Sequence, residues 1–174
     1  KYIELTKLLL ERRGHGKREY DDESDRLWER SIYAQDHKPV TEQTEAVGHA
    51  VRATYMYSAM TDIAALTGDI AYYNAIDSIW ENVVTKKLYL TGGRGAGGGG
   101  EAFGENYELP NHSYAETCAS IANVYWNHRM FLLYGDSKYI DVLERTLYNG
   151  LISGISLDGK LFFYPNVLKH DGKS

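Results

Sequence analysis

The sequence predicts an all-α fold built from helix hairpins, with one short strand and a C-terminal β-hairpin as its only extended elements. Three observations carry that expectation. Apolar residues recur at helical spacing over most of the chain. The helical segments come in pairs joined by tight turns, Leu66-Thr67-Gly68-Asp69 and Tyr134-Gly135-Asp136-Ser137, with longer excursions on the alternate connections. Strands do not alternate regularly with helices, which disfavours a doubly wound α/β fold. Repeated helix hairpins build solenoids or toroids. In a toroid the inner helices line a cleft, and the longer loops at one end carry the site.

Taken in order, Tyr2, Leu5, Leu8 and Leu9 share one helical face and Gly14 marks a stop, so Lys1–Arg13 reads as an amphipathic helix. His15–Lys38 is charged and nearly aperiodic, and is expected to be a long solvated loop. A second helix is expected over Thr41–Leu66 after Pro39. A third is expected over Asp69–Thr85, with Ile70, Tyr73, Ile76, Ile79, Trp80 and Val83 as its apolar stripe. Leu88–Gly93 then reads as a short strand entering a glycine-rich loop. A fourth helix is expected over Tyr114–Tyr134, and a fifth from Ser137 to Asn149-Gly150. The segment Ile155–Leu168 carries a hairpin signal, with Asp158-Gly159 at the turn.

Composition narrows the function classes. The 174 residues carry a net charge of −5, which argues against nucleic acids and anionic membranes as partners, since both select a basic face. No apolar run approaches the roughly 18 residues of a membrane span. One cysteine excludes an internal disulfide framework and leaves the compartment open. With no signal peptide visible, the cytoplasm is favoured. The 15 tyrosines and 3 tryptophans suit either a buried core or a sugar-binding cleft. The chain opens inside a helix without methionine, and is expected to be one part of a longer polypeptide that continues beyond residue 174.

Chemistry concentrates between Thr91 and Cys118. Seven glycines fall between Gly92 and Gly100, and carboxylates follow at once: Glu101, Glu105, Glu108 and Glu116. Such a loop is either a flexible linker or a backbone that approaches a ligand closely. Paired carboxylates are the usual apparatus of glycoside hydrolysis, and Glu101, directly behind four glycines, is the acid a tight backbone can aim into a cleft. Glu116 and Cys118 are both competent zinc ligands, with His112 and His128 as the other candidates in the chain, and two further ligands are needed to close a tetrahedral site. The alternative is a buried structural cysteine. His49 and Arg52, three apart on one helical face, suit binding to hydroxyls or an acid, or a histidine satisfied between helices.

Several segments together resemble one known family: YAQDHKPVTEQTEAVGHAVRATYMYSAMTDIAALTGD, YLTGGRG, GEAFGENYELPN, YAETCASIA and DVLERTLYNGLISGISLDGKLFFYPN. They resemble glycoside hydrolase family 127, whose type member is a β-L-arabinofuranosidase, and the likeness covers nearly everything after Ile32. The resemblance implies that residues 1–174 form part of an (α/α)6 barrel catalytic domain. It implies a retaining glycosidase acting on β-L-arabinofuranosides or related plant-derived sugars, with a zinc-bound cysteine as nucleophile. Carried over position by position, Glu101 of GEAF matches the general acid/base. Glu116 and Cys118 of ETC match two zinc ligands, and His49 and Tyr164 match residues lining the sugar subsite. Glu144 matches a further family acid, or serves as an ordinary helix-face residue. The family's other zinc ligands are an adjacent cysteine pair downstream, one of them the nucleophile, so these 174 residues are expected to hold an incomplete site and to be inactive alone. The loop between GEAF and ETC is one residue shorter than in the type member, and GAGGGG is richer in glycine, which bears on the sugar accepted. A non-catalytic carbohydrate-binding module or a helical interaction module is the competing reading.

Overall fold

The computed structural model describes residues 1–15, 31–97, 99–169 and 172. Residues 16–30, most of the expected charged loop, lie outside the described residues. Among those described, five α-helices form: α1 Tyr2–Glu11, α2 Ala50–Thr67, α3 Ile70–Asn82, α4 Thr117–Tyr134 and α5 Ser137–Arg145. Each of α3 and α5 runs on into a π turn, Val83–Lys87 and Thr146–Leu151.

The two hairpins are closed by the same device. Gly68 ends α2 and Gly135 ends α4, both in the left-handed region at φ 70°, where a residue with a Cβ is strained. The aspartate that follows then caps the next helix. Asp69 Oδ1 accepts the Ala71 N–H at 3.0 Å, and Asp136 Oδ1 accepts the Lys138 N–H at 3.0 Å. Each cap satisfies one orphan donor and contributes about 1 kcal/mol.

The inner helices α2 and α4 lie side by side in the same direction, with α3 behind α2 and α5 behind α4. The small residues Ala50, Ala53, Ala119 and Ala122 and the larger Tyr57, Met60, Ile63, Trp126 and Met130 from the two helices are all buried in one core. Trp126 is fully buried, with its ring 5.1 Å from that of Tyr57, and its Nε1 donates to Thr61 Oγ1. A buried polar chain ties the outer helices to this pair. Trp80 Nε1 donates to Asn127 Oδ1 at 2.8 Å, and Asn123 Nδ2 donates to Thr146 Oγ1 at 2.8 Å. Thr146 Oγ1 in turn lies 3.3 Å from Gly92 O, in the glycine loop. Every member has a partner, so the chain fixes register without leaving a costly unpaired group.

The structure corrects several sequence expectations. No β-strand forms among the described residues, and the helices pack as two hairpins plus α1 without closing a ring, so the barrel fits only in part. The strand expected over Leu88–Gly93 is a turn: the Tyr89 N–H bonds Gly93 O and the Gly92 N–H bonds Tyr89 O. Those are the groups a ladder would need, and Leu90 is left 86% exposed. The C-terminal hairpin is also absent. The chain reverses at Asp158-Gly159, but Ile155 and Phe162 form only an isolated bridge. Leu157, Leu161, Phe162 and Phe163 are all exposed, and a two-stranded ribbon with no face to pack against is marginal. Helix α2 begins at Ala50 rather than near Thr41, because Gln43 is used elsewhere, as described below. In α3 the expected stripe holds at Ile76, Ile79, Trp80 and on to Val83, all buried, whereas at its start Tyr72 is buried and Ile70 exposed.

Candidate active site

The site lies where three irregular segments meet the first turns of α2 and α4. His49 is the N-cap of α2, its Nδ1 accepting the Arg52 N–H at 3.4 Å. A ring nitrogen that accepts a backbone donor carries no proton, so the proton sits on Nε2. Nε2 faces Glu101 Oε2 at 2.8 Å. The backbone before His49 is held by two buried amides. Gln35 Nε2 donates to Tyr33 O and Val47 O, and Gln43 Nε2 donates to Gln35 O and Lys38 O. These bonds stop α2 from starting earlier. The Tyr33 ring stands edge-on to the His49 imidazole at 5.4 Å, and the Arg52 guanidinium lies over Tyr33.

Glu101 arrives from the glycine loop. That loop is no linker, since residues 92–96 are buried between α2 and α4. Glu101 itself has φ 52°, a conformation that costs a non-glycine residue energy and persists only where the surroundings impose it. They do so here. Ala102 bridges both Gly97 and His49, and the Phe103 N–H bonds Gly48 O at 2.9 Å. The second carboxylate oxygen, Oε1, accepts the Tyr114 hydroxyl at 3.3 Å. The Glu101 side chain is 34% exposed, so one side of it faces open space.

Glu116 is the N-cap residue of α4, preceded by Ala115 at φ 37°. Its backbone is clamped to the segment carrying Tyr164: the Thr117 N–H bonds Tyr164 O, the Asn166 N–H bonds Ala115 O, and Thr117 Oγ1 donates to Phe163 O at 2.6 Å. The Glu116 carboxylate beside the Tyr164 hydroxyl, by hydrogen-bonding to its neutral form and by its charge, pushes the phenol up to about 12. Cys118 lies one helical step further on. Burial first, and then its hydrogen bond to Glu116 and that group's charge, push the thiol up to about 11.

All five residues named from the sequence are therefore brought together. His49, Glu101 and Glu116 offer ligand atoms within 4.8 Å of one another, and the Cys118 thiol and the Tyr164 hydroxyl lie close enough to Glu116 for its carboxylate to disfavour their ionisation. Two carboxylates so close repel, and a cation beside them relieves that repulsion. Glu116 Oε2 is buried and has no hydrogen-bond partner among the described residues, an arrangement that a metal ion would satisfy. Carboxylate and thiolate are ordinary zinc donors, so the donor chemistry at Glu116 and Cys118 fits that ion. Glu144 is exposed on α5 and His112 and His128 are exposed elsewhere, none of them in this cluster. Tyr114 and Tyr33 are the contributors that residue-by-residue reading passed over. Both stand at the head of quoted motifs, YAETC and YAQDH, which was the available signal.

The comparisons agree on one family. All 174 residues match the family model described as beta-L-arabinofuranosidase, GH127 catalytic domain. A non-reducing end β-L-arabinofuranosidase of Bifidobacterium longum subsp. longum is 36% identical over 180 residues, covering 97% of this chain and 27% of the relative. A solved GH127 β-arabinofuranosidase superposes with a TM-score of 0.90 at 61% identity, over 99% of this chain and 26% of that one. A GH127 β-L-arabinofuranosidase from Geobacillus stearothermophilus T6 superposes equally well, TM-score 0.90 at 45% identity, over 99% of this chain and 28% of that one. The chain thus spans about a quarter of the length of the relatives it matches.

Proposed function

The chain belongs to the family of GH127 β-L-arabinofuranosidase catalytic domains, and from that premise we propose that it supplies the acid/base side of a retaining glycosidase acting on β-L-arabinofuranosides or related plant-derived sugars. The observation that carries this reading is the Glu101 carboxyl group. It is partly exposed, held at φ 52° by a backbone built around it, and contacted on one oxygen by His49 and on the other by Tyr114.

In the first half-reaction Glu101 would give its proton to the glycosidic oxygen as that oxygen's bond to the anomeric carbon breaks, the aglycone leaving as an alcohol while the carbon bonds to a nucleophile supplied from outside these 174 residues. In the second, the carboxylate would take a proton from water as that water attacks the anomeric carbon, breaking the bond to the nucleophile and releasing the sugar with retained configuration. His49 and Tyr114 fix the carboxyl plane through these steps, and Tyr164, at the rim beside Glu116, is placed to meet sugar hydroxyls. Glu116 and Cys118 would hold zinc, which when bound supplies a site for the cysteine thiolate that the resemblance assigns as nucleophile outside these 174 residues.

The test is Glu101→Gln in the full-length protein. Turnover of an aryl β-L-arabinofuranoside with a poor leaving group should fall by about 10²–10⁴-fold, the usual worth of positioned proton transfer, with fold and metal content unchanged. A substrate whose leaving group needs no protonation should lose much less in the first half-reaction. Wild-type rates in the Gln variant on the poor leaving group would remove Glu101 from this role.

A further inference from the structure

Arg94, in the middle of the glycine loop, has 0% of its surface exposed and, among the described residues, no acidic partner. Its Nη1 donates to Thr54 Oγ1 at 3.0 Å, whereas Nε and Nη2 find no hydrogen-bond partner among the described residues. The guanidinium lies 5.8 Å from the Trp126 ring centre and 6.0 Å from that of Phe103. Burial pushes the group down to about 9, which still leaves it charged at neutral pH. A buried cation without a counter-charge costs stability, and an apolar side chain of the same length would fill this space more cheaply. A charge kept at such a cost points to a use other than holding the fold.

Its contacts say which. Thr54 Oγ1 donates its own hydrogen bond to Ala50 O, in the turn that His49 caps. Phe103 is two residues beyond Glu101, and its N–H bonds Gly48 O beside His49. Trp126 belongs to α4, whose first turn carries Glu116 and Cys118. The next residue in the loop, Gly95, accepts the Ala115 N–H at 3.0 Å, immediately before Glu116. Arg94 therefore reaches α2 through Thr54, α4 through Trp126 and the Glu101 segment through Phe103.

We infer that Arg94 is a positioning residue, whose guanidinium sets the spacing between the His49–Glu101 pair and the Glu116–Cys118 pair. This rests on the glycosidase reading above. A displacement of about 1 Å between reacting groups disturbs the transition state far more than ground-state binding, so the signature is a loss in kcat with little change in KM.

The experiment compares Arg94→Met, Arg94→Lys and Thr54→Val with wild type in the full-length enzyme, reading Tm, kcat and KM on an aryl β-L-arabinofuranoside. The tautomer of His49 is read in parallel by ¹⁵N NMR. Arg94→Met should keep or raise Tm, lower kcat about 10–100-fold and leave KM within about threefold. Arg94→Lys should recover part of kcat, and Thr54→Val should show the same split more weakly. The neutral Nε2–H form of His49 should be less populated in Arg94→Met. Unchanged kcat in Arg94→Met would overturn the inference. So would a parallel fall in Tm and activity that lysine does not relieve, because Arg94 would then only hold the fold. If Arg94→Met fails to accumulate, Thr54→Val with wild-type kcat overturns it alone. Should the wild-type enzyme cleave no glycoside, the function reading fails, and the His49 tautomer still decides the positioning role.

Discussion

Replacing Gly48 by alanine tests how the site is built, because the structure supplies its own controls. Gly48 has φ +70°, and a Cβ placed there would lie 2.1 Å from Ile32 O, 2.7 Å from Tyr33 O and 2.7 Å from Gln35 Nε2. Two of these are backbone atoms, and the third is an amide pinned by its own hydrogen bonds, so none can swing aside. Gly68 and Gly135 have the same φ but nothing within 4 Å. Alanine at Gly68 should therefore cost only the left-handed backbone term, about 1–2 kcal/mol. Alanine at Gly48 adds an overpacking term of about 1–3 kcal/mol, and the total of about 2–5 kcal/mol reaches the site directly. Gly48 O accepts the Phe103 N–H, so a shift there moves His49 and Glu101 together. Urea unfolding of Gly48→Ala, Gly68→Ala and wild type in the full-length protein reads the first effect. The rate on an aryl β-L-arabinofuranoside reads the second, with a loss of at least about 10-fold expected for Gly48→Ala and none for Gly68→Ala. Equal midpoints and equal rates for the two variants would refute the claim that Gly48 is a close-packed support of the site.

Cys118→Ser or Glu116→Gln should remove bound zinc and activity together, while His49→Ala and Tyr164→Phe should weaken catalysis with zinc stoichiometry intact; elemental analysis beside the rate assay separates the two sets, and zinc loss in His49→Ala would show that the imidazole is a ligand. In metal-stripped protein the Cys118 thiol stands near 11, because burial and the Glu116 carboxylate both disfavour the thiolate. Alkylation by iodoacetamide should then be slow at pH 8 and accelerate only as pH rises toward 11, with Glu116→Gln bringing that rise to lower pH; a half-maximal rate near pH 8 in the unsubstituted protein would contradict the assigned surroundings.

Legibility followed the range of the interactions. The helix hairpins were readable because their signals are local: apolar spacing, a glycine that can take φ 70°, and an aspartate that caps the next helix two residues on. The start of α2 was not, because it is set by Gln35 and Gln43, whose amides bond backbone oxygens several residues away. Leu88–Gly93 has the composition of a strand, yet Lys87 Nζ is anchored on Glu45, Ala46 O and Gly104 O, and the chain turns immediately afterwards. Ile155–Leu168 has a good turn at Asp158-Gly159, but nothing in its sequence says whether a packed face awaits it. Glu101, Glu116, Cys118 and His49 were singled out for their chemistry, and Tyr164 through motifs alone. Tyr114 heads the YAETC motif, but nothing in the sequence shows that its hydroxyl meets the far oxygen of Glu101, or that Arg94 is buried at all.

The distribution of strain explains why the site is put together this way. A carboxyl group on a regular helix points where the helix dictates, and His49 and Glu116 are spared that by sitting at N-caps, the last positions before the helical geometry takes hold. Glu101 goes further, with no regular element beneath it and a φ of 52°. Ala115, at φ 37°, turns Glu116 toward the same point. Each of these departures costs on the order of 1–3 kcal/mol, and together with a buried, unpaired guanidinium they are a large fraction of what a domain this size has in reserve. The offset comes from the α2–α4 contact, where Trp126, Tyr57 and Met130 are wholly buried a few turns away. Loosening that contact should therefore reach the irregular segments first, since they hold their geometry only while the helix pair holds them, and activity should fade before the helices melt.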